Sequence, residues 1–396
     1  MITGVGAVTP LGLGAEQMHR RWVDGVSGIE DGFGCCGEFE PADHLTLKAV
    51  RRTDRFTQLA IVAAREALTQ AGWEDSSFAS NRVGCVIGTG VGGLGTLEAQ
   101  HDVMLDRGAE RVSPLAVPMM MSNAAAGVVA MEHELRGPCW AVASACASGA
   151  DAIGQALRMI RVGSADACVA GGSEAGVTPL FVAAFTKLGA LSPSGIPRPF
   201  DARRDGYVMA EGAGIVVLEE EQAARERGAQ VLGRVTGYGA TADAHHLTAP
   251  DPTGGGAARA MGLAMRDAGI GPEDIDYVNA HGTGTPLNDR AETAAIKLAL
   301  GDSAARVPIS SLKSAIGHPL GASGAIEAIA TLLALRDGIA PPTLNHDTAE
   351  DGLDLDYVPA VAKPLSRAGD DGRRPIGISN AFGFGGHNAV LCIEPA

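Results

Sequence analysis

Short apolar runs of strand length alternate along this chain with stretches in which apolar residues recur at helical spacing. Val83-Gly-Cys-Val-Ile-Gly88, Tyr277-Val-Asn-Ala280 and Gly212-Ala-Gly-Ile-Val-Val-Leu-Glu219 have the length and composition of strands. Between such runs, Ile153, Leu157 and Ile160 fall on one face at spacings of four and three, which predicts a helix. A second, strongly apolar helix is predicted from Gly321 to Arg336, carrying Ile326, Ile329, Leu332, Leu333 and Leu335. The alternation of the two periods predicts an α/β architecture. Asp347–Asp356 and Ser366–Arg374 are polar and aperiodic, and are expected to form exposed loops.

The pattern also repeats itself. Ile2-Thr-Gly-Val-Gly-Ala7 returns as Val235-Thr-Gly-Tyr-Gly-Ala240, and Glu66–Trp73 resembles Leu263–Ile270, each a helix end closed by glycine. Val83–Gly90 parallels Tyr277–Gly284, both running into Gly-Thr-Gly, and Gly212–Glu219 parallels Gly386–Glu394. Four echoes in one order predict two halves of the same topology, 1–230 and 231–396. No linker separates them, so the halves are expected to share one body.

Composition narrows the function classes. Aromatic residues make up only 4% of 396 residues while glycine reaches 54, so the elements must pack closely through small side chains. A net charge of −15 argues against non-specific binding to nucleic acid. It leaves one local basic cluster, Lys48, Arg51, Arg52 and Arg55, which by pattern alone is a solvated helix face. Seven cysteines, at 35, 36, 85, 139, 146, 168 and 392, form no C-x-x-C pair and no metal-ligand spacing. Free thiols in a reducing, cytoplasmic setting are expected, with no metal. The first residues lack a basic start followed by an apolar run, and no stretch approaches 18 apolar residues, so neither a secretion signal nor a membrane span is predicted.

Against this background Cys146 stands out. It lies in Ala143-Ser-Ala-Cys146-Ala-Ser-Gly149, where an apolar run meets a helix start. Unpaired N–H groups and the dipole at a helix N-terminus favour a thiolate and can hold an oxyanion; the alternative is a buried structural cysteine. Two histidines stand at Gly-flanked strand ends, His281 in Asn279-Ala-His-Gly-Thr-Gly-Thr285 and His318 in Lys313-Ser-Ala-Ile-Gly-His318. Together with the cysteine they favour a Cys–His–His site, because imidazoles can donate to a developing enolate or accept a proton. Glu327 interrupts the apolar face of the second helix and either pairs with Lys313 or faces water. Asn380-Ala-Phe-Gly-Phe384-Gly-Gly-His387 is expected to be a glycine-rich loop approaching a ligand, with Phe384 able to swing. Gly88-Thr-Gly-Val-Gly-Gly93 matches a dinucleotide fingerprint, but it does not lie on the first strand-to-helix turn and the helix start after it is irregular.

These segments resemble, in order and across nearly the whole chain, the four-part signature of the elongating β-ketoacyl-acyl carrier protein synthases of the thiolase-like fold, synthase II type. Arg198-Pro-Phe-Asp201 and Arg204-Asp-Gly206 agree. The resemblance implies a five-layered αβαβα fold from two duplicated halves, a homodimer and a ping-pong reaction with acyl carrier protein. Cys146 would carry the acyl chain, and its N–H with that of Phe384 would form the oxyanion hole. His281 and His318 would hold the malonyl thioester, with Lys313 and Glu327 tuning them. Thr283 and Thr285 match positions that bind phosphopantetheine, Val91 and Phe185 line the acyl pocket, and Phe384 gates it. Lys48, Arg51, Arg52 and Arg111 become candidates for docking the acidic carrier protein. No cofactor is implied beyond the pantetheine arm of the carrier.

The alternative within the same fold is the ketosynthase subunit of a type II polyketide synthase, working with a chain-length partner. Non-catalytic partner subunits lack the nucleophile that Cys146 supplies. Initiating synthases have asparagine where His318 stands, and thiolases carry a second catalytic cysteine that Cys392, in a strand-like run, does not match. Two departures are visible. The first strand opens at Ile2, short of the family's usual start, so its start is expected to be frayed or numbered differently. His387 replaces a common threonine and adds a titratable group near the gate.

Overall fold

The protein is described from a computed structural model covering residues 1–73, 78–365 and 373–396. The main strands of its large sheet are β1 (Ile2–Thr9), β2 (Val83–Gly88), β3 (Cys139–Val142), β4 (Ala167–Ala175), β5 (Glu211–Glu219), β6 (Gly233–Ala242), β7 (Ile275–Asn279), β8 (Ile309–Ser310), β9 (Ile376–Gly383) and β10 (His387–Pro395), with the short Gly12–Leu13 beside β1 and a separate pair, Ile339–Ala340 with Lys363–Pro364. They run in the order β3-β2-β4-β5-β1, then β6-β10-β9-β7-β8, the two sets joined only where Ile2 meets Gly233. Counted from its own first strand, each set has the same order. Each is parallel across its second, third and fourth strands and antiparallel from the fourth through the fifth to the first.

The helices that matter for the site are α1 (Arg55–Gln70), α2 (Leu94–Arg107), α3 (Ser148–Arg161), α4 (Pro179–Leu188), α5 (Gly255–Ala268), α6 (Pro286–Leu300) and α7 (Ser323–Asp337). Helix α1 begins at Asp54, whose carboxylate accepts the Phe56 N–H at 3.2 Å. It lies on β1 so closely that a Cβ on Gly4 or Gly6 would stand 1.9 or 2.0 Å from the carbonyl oxygens of Ala67 and Ala63. The second half repeats this contact: a Cβ on Gly237 or Gly239 of β6 would stand 2.2 or 2.1 Å from the carbonyl oxygens of Ala264 and Ala260 of α5. The echoed Thr-Gly-x-Gly-Ala is therefore a packing motif, glycines that let a helix backbone rest on a strand.

Helices α3 and α7 fill the space between the sheets. Every residue of α7 from Ser323 to Leu335 is buried, which is why its apolar residues run round the whole helix and do not form one stripe. With α1 outside one sheet and α5 outside the other, the layers run αβαβα, as expected. β5 is buried along its whole length, consistent with its central place. The expected fraying of β1 is not seen. Ile2 pairs with Leu218, and the Met1 ammonium donates to the Glu219 carbonyl at 2.7 Å, which ties the strand down at its first residue. Of the two expected loops, 347–356 is largely exposed, while residues 366–372 of Ser366–Arg374 lie outside the described residues.

Candidate active site

Strand β3 brings the chain to a single turn, Ala145–Ala147, and α3 starts at Ser148. Ala145 has φ +51°, a left-handed conformation that costs a non-glycine residue roughly 1–2 kcal/mol. Ser148 holds the turn: its Oγ accepts the Ser144 N–H at 2.9 Å and donates to the Ala145 carbonyl at 2.6 Å. The turn presents Cys146 at the N-terminal end of α3, but the side chain is buried. Burial pushes the thiol up to about 12, against the pull of the Lys313 charge and the Phe384 N–H. The expected thiolate is therefore not the resting form. Desolvation outweighs the Lys313 charge and the Phe384 N–H, and the resting sulfur carries its proton.

His281 follows the end of β7. Its backbone is fixed by a buried carboxylate, since the N–H groups of His281 and Gly282 donate to the two oxygens of Glu292 at 2.8 and 2.7 Å. Asn380 of β9 donates to the same carboxylate at 3.1 Å. His318 enters from the other side, with Nδ1 and Ser323 Oγ at 2.8 Å, and the two imidazoles meet edge to face at 5.3 Å and 83°. Burial first, and then the Lys313 charge, holds both histidines well below the usual imidazole range; His318 adds to this at His281. Both are neutral at physiological pH.

Lys313 starts the short helix Lys313–Ile316 and forms an ion pair with Glu327 of α7, each side chain 1% exposed. Of the two readings of Glu327, the structure therefore gives the pair and not the solvated side chain. Burial nevertheless lifts its carboxyl to about 7, with Lys313 pulling the other way.

Phe384 stands at the turn between β9 and β10. The glycine-rich segment is only partly the loop expected from sequence, because Ala381, Phe382 and Gly383 complete β9 and a tight turn remains. A Cβ on Gly383 would lie 2.7 Å from the Ser144 carbonyl oxygen and 3.0 Å from the Cys146 nitrogen, so glycine is what lets this hairpin abut the cysteine turn. The Phe384 N–H then reaches the Cys146 sulfur. Its ring lies 6.1 Å from Phe185 of α4, which in turn contacts Phe181 and Tyr207.

Cys146, His281, His318 and Phe384 all line one cavity of about 460 Å³, as do Val91, Phe185, Thr283 and Thr285. Thr283 and Thr285 share a hydroxyl contact of 2.9 Å, and Thr285 also caps α6. Lys313 and Glu327 lie outside the lining. Lys48, Arg51, Arg52 and Arg111 are exposed on the surface and take part in no ion pair among the described residues. Arg51 and Ser113, two residues beyond Arg111, border the same surface groove. His387 opens β10 on the exposed side, across from Gly383. The N–H of Gly90 in the dinucleotide-like segment points at the buried carboxylate of Glu174, which would repel a pyrophosphate. Sequence reading missed Glu174, Glu292 and Tyr207. Each lies in an element with no pattern of its own, and only the packing of separate segments brings them to the site.

A cysteine at a helix start, facing two neutral imidazoles across a duplicated αβαβα body, defines a condensing enzyme of the thiolase-like fold. Residues 37–224 match the model "Beta-ketoacyl synthase, N-terminal domain" and residues 232–347 its C-terminal counterpart, and the chain belongs to the β-ketoacyl synthase family. It is 42% identical over 411 residues to the 3-oxoacyl-[acyl-carrier-protein] synthase 2 of Synechocystis sp., covering all of this chain and 97% of that one. The synthase 2 of Staphylococcus aureus is 43% identical over 410 residues, with the same coverage. Among solved structures, a β-ketoacyl synthase from Burkholderia phymatum superposes with a TM-score of 0.90 at 34% identity, over all of this chain and 98% of that one. A type II polyketide synthase acyl-carrier protein in complex with its ketosynthase, bound to the hexaketide, gives 0.89 at 30%, over all of this chain and 98% of that one.

Proposed function

We propose that the protein is an elongating 3-oxoacyl-acyl carrier protein synthase of fatty-acid synthesis, with acyl carrier protein as its partner and the cytoplasm as its location. The observation that carries this is the convergence of Cys146, His281 and His318 on one cavity, with the Phe384 N–H on the sulfur. In the first half-reaction the Cys146 sulfur attacks the acyl thioester on the carrier. Its proton passes to a neutral imidazole of the pair and then to the departing pantetheine thiolate. The N–H groups of Cys146 and Phe384 stabilise the oxyanion. In the second, malonyl carrier protein loses CO2, and the electrons of the broken C–C bond become an enolate held by His281 and His318. Its carbon attacks the Cys146 thioester, and the cysteine leaves as a thiolate that takes a proton from solvent to return to the resting thiol. Thr283 and Thr285 hold the pantetheine arm, Val91 and Phe185 line the acyl chain, and Phe384 gates it. Lys48, Arg51, Arg52 and Arg111 dock the carrier. No step draws on a cofactor.

We read the chain as halves 1–230 and 231–396, and the active species as a homodimer. Strand β3 supports the dimer: among the described residues it ends the first sheet with an unpaired edge and carries Trp140, 38% exposed, and the helix Ala124–Glu132 packed against it carries Met131, 73% exposed. The polyketide alternative draws on neighbours at 30% and 34% identity, whereas the synthase 2 relatives reach 42% and 43%. The test is incubation with acyl and malonyl carrier proteins, with products weighed by mass spectrometry. Cys146→Ala should fold, take up no acyl group and condense nothing; a variant that still condensed acyl chains would sink the assignment.

A further inference from the structure

Glu174, the penultimate residue of β4, is fully buried, and no ion pair reaches it among the described residues. Every group around its carboxylate is a donor. Oε2 accepts the N–H of Gly90 at 2.5 Å and that of Gly321 at 3.1 Å, and Oε1 accepts the Thr89 hydroxyl at 2.9 Å. The Thr89 oxygen in turn accepts the Gly92 N–H at 3.0 Å, which directs its own proton to Glu174. An amide of the same shape satisfies this set less well: with its oxygen on the Gly90 and Gly321 N–H groups, its NH2 faces the Thr89 hydroxyl, which must turn its own proton away. A buried carboxylate without a cation is costly, and burial lifts Glu174 to about 7 against the pull of these donors, so the donor set is what holds it in place.

The segments that Glu174 joins belong to different halves. Residues 89–92 carry Val91 into the cavity wall. Gly321 ends the turn that carries His318, and between them Leu320 has φ +40° and packs in the same cluster as Cys146. Two residues further on, Ser323 holds the His318 ring. The other half has a matching device. There Glu292, steadied by Asn380 of β9, fixes the backbone of His281.

We propose that Glu174 is a positioning residue that locks the Val91 wall of the acyl cavity to the His318 turn, and thereby sets which acyl chains the enzyme accepts. The inference rests on the acyl-transfer reading above. It makes the chain-length preference a property of a carboxylate that touches no substrate.

The experiment compares wild type, Glu174→Gln and Thr89→Val on acyl carrier proteins of graded chain length, with CO2 release from malonyl carrier protein measured separately. In Glu174→Gln the amide must point a donor at Gly90, Gly321 or Thr89. Its kcat/KM for the preferred chain should fall by about tenfold or more, the preference over other lengths should flatten, and CO2 release should fall with it. Thr89→Val removes the hydroxyl contact and the acceptor for Gly92 on the acyl side while leaving the Gly90 and Gly321 bonds to Oε2, so the length preference should flatten while CO2 release stays within about twofold of wild type. A uniform loss across chain lengths in both variants, or an unchanged length profile, overturns the proposal. If Glu174→Gln does not fold, the Thr89→Val profile decides alone. A wild type that condenses no acyl chain would instead refute the function proposed above.

Discussion

Lys313 and Glu327 form an ion pair with both side chains 1% exposed, and the Lys313 charge acts on Cys146, His281 and His318 together. One buried cation thus lowers the proton affinity of all three groups, adding to burial at the two imidazoles and opposing burial at the thiol. Removing one partner strands the other. Lys313→Met should destabilise the fold by about 3–5 kcal/mol in urea titrations, and adding Glu327→Gln should recover part of it. In the double variant the cation is gone, so Cys146 should be alkylated more slowly by iodoacetamide at fixed pH. Equal rates would show that Lys313 does not tune the thiol.

Acid should expose the neutral histidines. His281 is held below the unfolded value of 6.5 chiefly by burial, so the unfolded chain binds more protons as pH falls past that value. Stability attributable to His281 is therefore complete above about pH 6.5 and is lost as pH falls toward its folded value. Glu174, Glu292 and Glu327, each lifted to about 7 by burial, act in the opposite sense, losing stability as pH rises from their unfolded value toward 7. The histidine contribution is isolated by difference. Relative to wild type, His281→Asn should become more stable as pH is lowered from 7 to about 5; a difference independent of pH would contradict a neutral buried imidazole.

Much of this site was legible in the chain because its reactive residues sit at points where the backbone must turn. Cys146 and His281 each follow a strand and precede small residues, so pattern and residue type coincide there; His318, expected at a strand end, instead follows the short helix Lys313–Ile316 and is marked by Gly317 and Pro319 around it. The duplication was legible for a packing reason, since Gly4 and Gly6 do in β1 what Gly237 and Gly239 do in β6. The protonation state of Cys146 was not. A helix start argues for a thiolate, whereas burial, which depends on Leu320, Met209 and Tyr207 arriving from distant segments, argues more strongly for the thiol. Glu327 was undecided from sequence because α7 is buried all round and offers no polar face to compare it with. Glu174 and Glu292 left no signal, since most of their partners are backbone N–H groups, which sequence does not distinguish, and Thr89 and Asn380 reach them only through the fold.

The Gly383 contact gives a sharp geometric test. A Cβ there would press on the Ser144 carbonyl and the Cys146 nitrogen, at 2.7 and 3.0 Å, and would move the hairpin from the cysteine turn. Gly383→Ala should therefore displace the Phe384 N–H from its place beside the sulfur and lower kcat for acyl transfer by about 10²–10³, the scale of one lost oxyanion donor. Global stability should change by far less than this loss implies. Activity near wild type would mean that the Phe384 N–H is not part of the oxyanion site.

Carrier docking can be separated from chemistry. Lys48, Arg51, Arg52 and Arg111 are exposed and outside the cavity, on a chain whose net charge is −15, so an acidic partner would meet repulsion everywhere except at such a patch. Rim charges chiefly govern association and its salt dependence. Arg51→Glu combined with Arg52→Glu should raise KM for acyl carrier protein by about tenfold or more at low salt, and the gap from wild type should narrow as ionic strength rises. Turnover of a small pantetheine thioester, which needs the cavity and not the patch, should stay within about twofold of wild type. Equal losses on both substrates would place the damage inside the enzyme and remove these arginines from the docking surface.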